Sequence, residues 1–208
     1  MARPTNSDAR RAQISDALIR VMAKRGYDGA SIADIAKMAR LTPGLVHYHF
    51  ESKLEILLMA LERLVSRHLA KLDACLAAAA GDARAELHAF IDFHLGLGAD
   101  QDPEALACWI LLSGEALREP KIGAALEVAL RALTDRLHAS IRRGTEQGVL
   151  DCERPDAAAG ALVATIQGYF VLAATARSLI PKGSAAACTK QMAGGLVRFR
   201  SLTPRGHA

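Results

Sequence analysis

Residues 31–56 read SIADIAKMARLTPGLVHYHFESKLEI and contain clear signals for where helices begin. Ser31, followed three residues later by Asp34, is a capping-box pattern at the start of a helix. Thr42 can cap a second helix, and Pro43 suits its first position because proline lacks the N–H that would be unpaired there. Only a short turn separates the two helices. This spacing predicts a helix-turn-helix, which leaves its second helix exposed to read DNA.

The composition of the second helix supports the same interpretation. Residues 42–49 carry Pro, Gly, two His and Tyr where a purely structural helix would carry charge pairs. The first helix buries one apolar face, formed by residues 32, 35, 36 and 39. Ser52 and Glu55 form another capping-box pattern that starts a long third helix of this region.

This region resembles the tetracycline-repressor (TetR) family of transcriptional regulators. The residues that match the N-terminal signature of the family are Ser31, Ile35, Ala36, Ala39, Leu41, Thr42, Gly44, His49, Phe50 and Lys53. Arg40 replaces the usual turn glycine, so the turn either tolerates another residue or is slightly strained. Leu45 and His47 also depart from the family pattern, which implies that different bases are read.

The resemblance and the side-chain chemistry together assign roles in DNA binding. The candidates are Ser31, Thr42, Pro43, Gly44, Leu45, His47, Tyr48, His49 and Lys53. Thr42, Tyr48, His49 and Lys53 match family positions that usually hold phosphates. His47 can donate or accept at a base edge, Gly44 permits close approach, and Leu45 could touch a thymine methyl. Tyr48 and His49 could instead pack within the helical domain.

Length, composition and charge agree with a DNA-binding helical protein. The chain has 208 residues, a formal net charge of +4 and little β-branched alternation, which predicts an all-α fold. Residues 1–53 hold nine Lys/Arg and five Asp/Glu, whereas residues 54–208 hold 17 of each. The excess positive charge therefore lies with the predicted DNA-reading helices, although an ordinary basic surface could look similar.

The remaining helical signals divide the chain into about nine helices, the number that the resemblance implies. Pro103, Pro120 and Pro155 are expected at helix starts, and the break at 181–183 introduces the last helix. We expect a helix-turn-helix DNA-binding domain at 1–51, a ligand-binding and dimerisation domain at 52–202, and a disordered tail at 203–208.

One segment is apolar enough to suggest a membrane span. Residues 157–176 carry no charge, but they are rich in alanine and interrupted by polar residues, so a buried helix of a soluble bundle is the better interpretation. Small residues recur every four positions at Gly160, Ala164 and Gly168, which allows another helix to approach closely. Together with Ile166, they form the predicted contact between two subunits of a homodimer.

The resemblance also implies a pocket in the C-terminal domain. The candidate lining residues are Phe90, Phe93, His94, Trp109, Glu115, Gln167 and Tyr169. These side chains favour an apolar or aromatic small effector, cationic if Glu115 faces it. The residues around Trp109 and Pro120 weakly resemble the branch of choline-responsive betaine regulators. This resemblance does not identify the effector. Functionally, we expect a dimeric repressor released from a palindromic, double-stranded DNA operator by this effector. The alternative is a DNA-binding regulator without a small ligand, controlled by a protein partner or by its abundance.

The sequence gives little support for other classes of protein. No apolar segment of a secretory signal follows Met1, which predicts a cytoplasmic protein without a membrane anchor. The four cysteines, at positions 75, 108, 152 and 188, are too widely spaced for a metal or disulfide motif. No nucleophile elbow, glycine-rich phosphate loop or metal-spaced His/Cys cluster occurs, so we expect neither an enzyme nor a cofactor.

Overall fold

The computed structural model of this chain describes residues 6–96 and 103–199, with side chains from residue 106 onward in the second range. Nine α-helices form most of these two ranges, which confirms the all-α prediction. They are α1 (Asn6–Arg25), α2 (Ile32–Ala39), α3 (Pro43–His49), α4 (Lys53–Ala78), α5 (Ala83–Leu95), α6 (Pro103–Glu115), α7 (Pro120–Glu146), α8 (Pro155–Thr175) and α9 (Ser184–Leu196). A short 3₁₀ helix covers Arg177–Leu179.

The helix starts follow the sequence signals closely. Prolines occupy the first position of α3, α6, α7 and α8, where the missing N–H costs no hydrogen bond. The capping box predicted for α4 is only half formed. The Glu55 amide donates to the Ser52 hydroxyl at 3.1 Å, but the Glu55 carboxylate accepts from the Glu51 amide at 2.9 Å.

Two very short strands were not predicted. Strand β1 (Leu150–Asp151) pairs antiparallel with β2 (Arg198–Phe199), so that Leu150 lies opposite Phe199. A two-residue strand is too short to show the alternation by which strands are recognised in a sequence. The pairing attaches the end of the described chain to the segment between α7 and α8.

The described residues of 1–68 and 102–129 form one compact unit. Its core brings α1, α2 and α3 together with the first half of α4, with Cys108 and Leu112 of α6, and with the start of α7. Ile14 and Leu18 of α1 and Val46 of α3 are completely buried in this core. The core residues of α3 therefore fix the orientation of its opposite face.

The described residues of 69–101 and 130–208 form a second compact unit. Its core combines the end of α4 with α5, most of α7, α8 and α9. One carboxylate is buried there: Glu86 accepts hydrogen bonds from the Ser140 hydroxyl and from the Arg143 guanidinium at 2.6 Å. These partners compensate much of the cost of burying the charge.

The two compact units do not correspond to the functional domains expected on either side of residue 52. Helices α4 and α7 each contribute residues to both units. That functional boundary stays a prediction. The tail expected at 203–208 lies outside the described residues.

Candidate DNA interface

The α2–turn–α3 segment is held by local hydrogen bonds at both helix starts. The Asp34 amide donates to the Ser31 hydroxyl at 3.1 Å, and that hydroxyl donates to the Asp34 carboxylate at 2.6 Å. This hydrogen bond is the main cause of the lowered pKa of Asp34. At the start of α3, the Leu45 amide donates to the Thr42 side-chain oxygen at 3.3 Å. The side chains of Ser31 and Thr42 are thus helix caps in the unbound protein.

The turn between α2 and α3 has an unusual backbone conformation. Arg40 has φ 56° and ψ 43°, and it is the only non-glycine residue with positive φ among the described residues. Its amide donates to the carbonyls of α2, which ends that helix. This conformation is the one that glycine adopts without strain. The turn was expected either to tolerate a residue other than glycine or to be slightly strained, and the backbone of Arg40 has the slightly strained conformation.

The seven-residue helix α3 has one buried and one exposed face. Val46 is completely buried, and Phe50, directly after the helix, is 3% exposed. On the other side, Thr42, Pro43, Gly44, His47 and Tyr48 are exposed. The Tyr48 ring is 81% exposed, far more than a packing residue would be. A helix surface with hydroxyl, imidazole and phenol groups, and with a glycine, can contact both phosphates and base edges.

Three predicted DNA contacts, Leu45, His49 and Lys53, are less exposed than the rest. Leu45 is half-buried. His49 is also half-buried, and its ring meets the Tyr48 ring edge-on at 5.1 Å between centroids. An additional Cβ at Gly44, in contrast, would meet no atom within 4 Å. The backbone of α3 is therefore open to a ligand at Gly44.

Arg11 of α1 supports the end of α3, a role that the sequence analysis missed. Its guanidinium donates to the His49 carbonyl and to the Glu55 carboxylate at 2.8 Å, and it lies 4.1 Å from the centre of the Phe50 ring. The hydrogen bond from Arg11 is the main cause of the lowered pKa of Glu55. Local spacing gives no signal for it, because the partners lie 38 and 44 residues away.

Lys53, predicted to hold a phosphate, has partners within the protein. Its ammonium donates to the Tyr27 carbonyl at 2.9 Å and lies 4.3 Å from the centre of the Tyr27 ring. Burial, together with nearby carboxylates, raises the pKa of the Tyr27 phenol. Lys53 thus connects the start of α4 to the segment between α1 and α2.

The predicted pocket residues are distributed over the two compact units. Trp109 packs against the core of the first unit, to which Glu115 also belongs. In the second unit, the buried His94 lies among three phenylalanine rings, with ring centres 4.6 Å from Phe90, 5.1 Å from Phe93 and 6.4 Å from Phe170. Gln167 and Tyr169 are half-buried in the same unit.

A cavity of about 260 Å³ in the second unit was not predicted. It is lined by Ala80, Gly81, Ala83, Glu86, Ser140, Arg143 and Gln147. It contains none of the predicted pocket residues. Its charged groups already pair with each other, as described above for Glu86.

Helix α8 is long and apolar enough to cross a membrane, with a mean hydropathy of 1.6 over an 18-residue stretch. However, only 28% of that stretch is buried. The expectation of a buried helix therefore holds for one face only. Ile166 lies on the buried face, at 1% exposure. Gly160, Ala164 and Gly168 are exposed on the other face, and an added Cβ at either glycine would meet no atom within 4 Å.

Comparisons with known proteins match both parts of the chain. Residues 14–60 match the family model for bacterial regulatory proteins of the tetR family, and residues 83–198 match that for the C-terminal region of BetI-type transcriptional repressors. The chain is 30% identical over 134 residues to the transcriptional regulator BetI of Rhizobium meliloti, a match that spans 64% of each chain. It is 31% identical over 170 residues to BetI of Burkholderia thailandensis, which spans 81% of this chain and 84% of that relative.

A solved structure is similar along almost the whole chain. It is that of a transcriptional regulator from Saccharomonospora viridis in complex with choline, which is 29% identical, with a TM-score of 0.76 and coverage of 91% of this chain and 95% of that one. The relatives are transcriptional regulators rather than enzymes.

Proposed function

Because this chain belongs to the TetR family of bacterial regulatory proteins, with a C-terminal region of the BetI type, we propose that it represses transcription from a palindromic DNA operator. The observation that carries this proposal is the exposed face of α3, whose opposite face is fixed in the core by Val46 and Phe50. The protein would act in the cytoplasm as a homodimer and leave the operator when a small molecule binds.

On the operator, α3 enters the major groove. His47 reads a base edge, and Gly44 brings the helix backbone close to the DNA, so that Leu45 reaches a thymine methyl. Tyr48 contributes its phenol to a phosphate contact. Their exposure supports these roles for Gly44, His47 and Tyr48.

The remaining contacts position the helix on the phosphate backbone. The candidates are the caps Ser31 and Thr42 with the adjacent Pro43, and His49 and Lys53 at the other end of α3. Lys53 would have to share its ammonium with the Tyr27 carbonyl or leave it, since the two are 2.9 Å apart in the unbound protein.

Dimerisation would cover the exposed apolar face of α8 and the neighbouring face of α9. Val171 of α8 and Met192 and Leu196 of α9 are 46%, 52% and 43% exposed, although their side chains are large and apolar. Exposed apolar surface of this kind is typical of an interface. The small residues Gly160, Ala164 and Gly168 would let the partner helix approach closely, and Ile166 would support the interface from within its own chain.

The effector would be a small cation of the quaternary-ammonium class, whose charge is surrounded by apolar groups. Two observations support this class: the relative from Saccharomonospora viridis is in complex with choline, and aromatic rings gather around His94 in the second unit. Aromatic faces bind such cations by cation–π attraction. The candidate contacts within the second unit are Phe90, Phe93, His94, Gln167 and Tyr169.

The operator can be identified by sequencing genomic fragments that the purified protein retains. We expect these fragments to share a palindrome whose half-sites lie about 34–36 Å apart, because a twofold dimer presents two copies of α3. Retained fragments without a shared sequence would contradict sequence-specific recognition.

The effector class can then be tested with choline and its uncharged carbon analogue, 3,3-dimethylbutan-1-ol. We expect choline to release the operator and to change the fluorescence of Trp109, the only tryptophan of the chain, over the same concentration range. Linkage requires that the DNA complex bind choline more weakly than the free protein does. Equal release by the uncharged analogue would contradict recognition of the charge. Failure of every small cation to release DNA would favour the ligand-independent regulator.

A further inference from the structure

A groove of about 950 Å³ runs between α1 and α2, and none of the candidate DNA contacts lines it. Its lining residues come from residues 9–25 of α1, from residues 34–39 of α2 and from Arg40 of the turn. No residue of α3 lines it. A ligand in this groove would therefore use different side chains from those that face the DNA.

The rim of the groove carries positive charge without compensation. Of its five exposed cations, Arg25 pairs with Asp34. The other four, Arg20, Lys24, Lys37 and Arg40, form no ion pair within the described part of the chain.

The carboxylates of the groove, in contrast, are already paired. Asp34 accepts from Arg25 at 2.8 Å, and Asp16 lies 3.3 Å from Arg63 and 3.4 Å from Arg67. The four rim cations consequently face the groove as an excess of positive charge.

Arg40 places one of these cations at the turn after α2. Its left-handed backbone conformation is one that glycine would adopt without strain. The protein nevertheless carries a long cationic side chain there, exposed at the rim of the groove. The turn therefore presents a guanidinium to the groove at a position where glycine would fit the backbone better.

Between these cations, the lining of the groove is mostly apolar: it contains Ala12, Ala17, Val21, Met38 and Ala39, beside Gln13. Ala12 and Met38 are partly exposed and form the apolar floor of the groove, whereas Ala17, Val21 and Ala39 are buried. A DNA backbone would satisfy the cations of the rim but would offer nothing apolar to the floor. An amphipathic helix with acidic residues beside its apolar face complements both.

We propose that the α1–α2 groove docks an acidic, amphipathic segment of a partner protein. The charge of the rim attracts the segment and sets its orientation, and the apolar floor receives its aliphatic side chains. No candidate DNA contact lines the groove, so the segment and the DNA would use different side chains.

The test measures fluorescence anisotropy with a labelled peptide of about 18 residues that contains only Glu and Leu, with Leu at helical i, i+3, i+4, i+7 spacing. The groove variant combines Arg40→Gly with Lys37→Gln. The control variant combines Arg177→Gln with Lys182→Gln, two exposed cations of the second unit, and loses the same total charge. We expect the groove variant to bind the peptide about tenfold more weakly and the control variant to bind it as the unaltered protein does.

Three further measurements make the result specific. A peptide of the same composition with its leucines scrambled should bind at least tenfold more weakly to the unaltered protein, because it cannot present one apolar face. Thermal unfolding of Arg40→Gly should occur at the same or a higher temperature, since the left-handed strain is relieved. Labelled duplex DNA should not displace the peptide.

If the groove and control variants bound the peptide equally weakly, or if the scrambled peptide bound as tightly as the original one, net charge alone would explain the binding. Either result would overturn the proposal. Displacement of the peptide by duplex DNA would show that the groove binds nucleic acid instead and would also overturn it. None of these measurements depends on the operator, so their outcome is separate from that of the proposed repressor function.

Discussion

Replacing Gly44 by alanine should separate DNA binding from stability. Gly44 is exposed in the first turn of α3, and an added Cβ would meet no atom of the protein within 4 Å. The fold therefore accepts the methyl group. A DNA surface packed against this turn does not, because the methyl occupies the space into which the helix backbone approaches.

The two effects have opposite signs. Alanine loses less backbone entropy than glycine when a helix forms, which raises the free energy of unfolding by up to about 0.5–1 kcal/mol. Forcing an extra methyl into a closely packed contact costs about 1–3 kcal/mol. At 1.4 kcal/mol per tenfold change, operator affinity should fall roughly 5- to 150-fold while stability stays the same or rises.

The assay is a titration of labelled operator at fixed salt, beside chemical unfolding of the same preparations. Gly114→Ala serves as the matched control, since Gly114 is also an exposed helical glycine whose added Cβ would meet no atom within 4 Å. It should show the small gain in stability without the loss of affinity. If Gly44→Ala bound the operator as tightly as the unaltered protein does, α3 would not approach DNA through its first turn, and the reading of its exposed face would be wrong.

Four other substitutions test the remaining parts of the interpretation. His47→Ala should relax base preference at one position of each half-site, whereas Lys53→Ala should weaken binding to all sequences alike, as measured on a library of half-site variants; identical specificity profiles would remove His47 from base reading. Gly168→Leu should be tolerated by the single chain, which leaves this position open, but should yield monomers in sedimentation, and a surviving dimer would place the interface elsewhere. Asp73→Asn should lower the free energy of unfolding by about 0.2–1 kcal/mol at neutral pH, because the hydrogen bond from Arg136 lowers the pKa of Asp73; the difference should disappear as the pH falls through that lowered pKa, and a constant difference across acid pH would contradict this role.

Helix boundaries were predictable because their signals are local. Proline at a first helical position, as at Pro43 or Pro155, marks the start of a helix by its own backbone geometry. The burial of Val46 and the exposure of His47 follow in the same way from helical periodicity within α3. These signals were sufficient for the fold class and for the exposed surface of α3.

The supports of that surface were not predictable, because they are contacts between distant parts of the chain. Nothing near Arg11 in the sequence indicates that it holds the carbonyl of His49. Lys53 was assigned by resemblance and by its donor group, and only the structure reveals its contact with Tyr27. The half-exposed state of α8 was not predicted for a related reason. An apolar sequence indicates that a helix is covered, but it does not show whether its own chain or another molecule covers it.

The short pairing of β1 with β2 also has a consequence for how this part of the protein opens. By joining Leu150 to Phe199, it closes residues 150–199 into a loop that contains α8 and α9. The end of α9 therefore cannot fray without breaking this ladder as well. In native-state hydrogen exchange, the amides of the ladder and those of the last turn of α9 should become exposed together, as one cooperative opening unit.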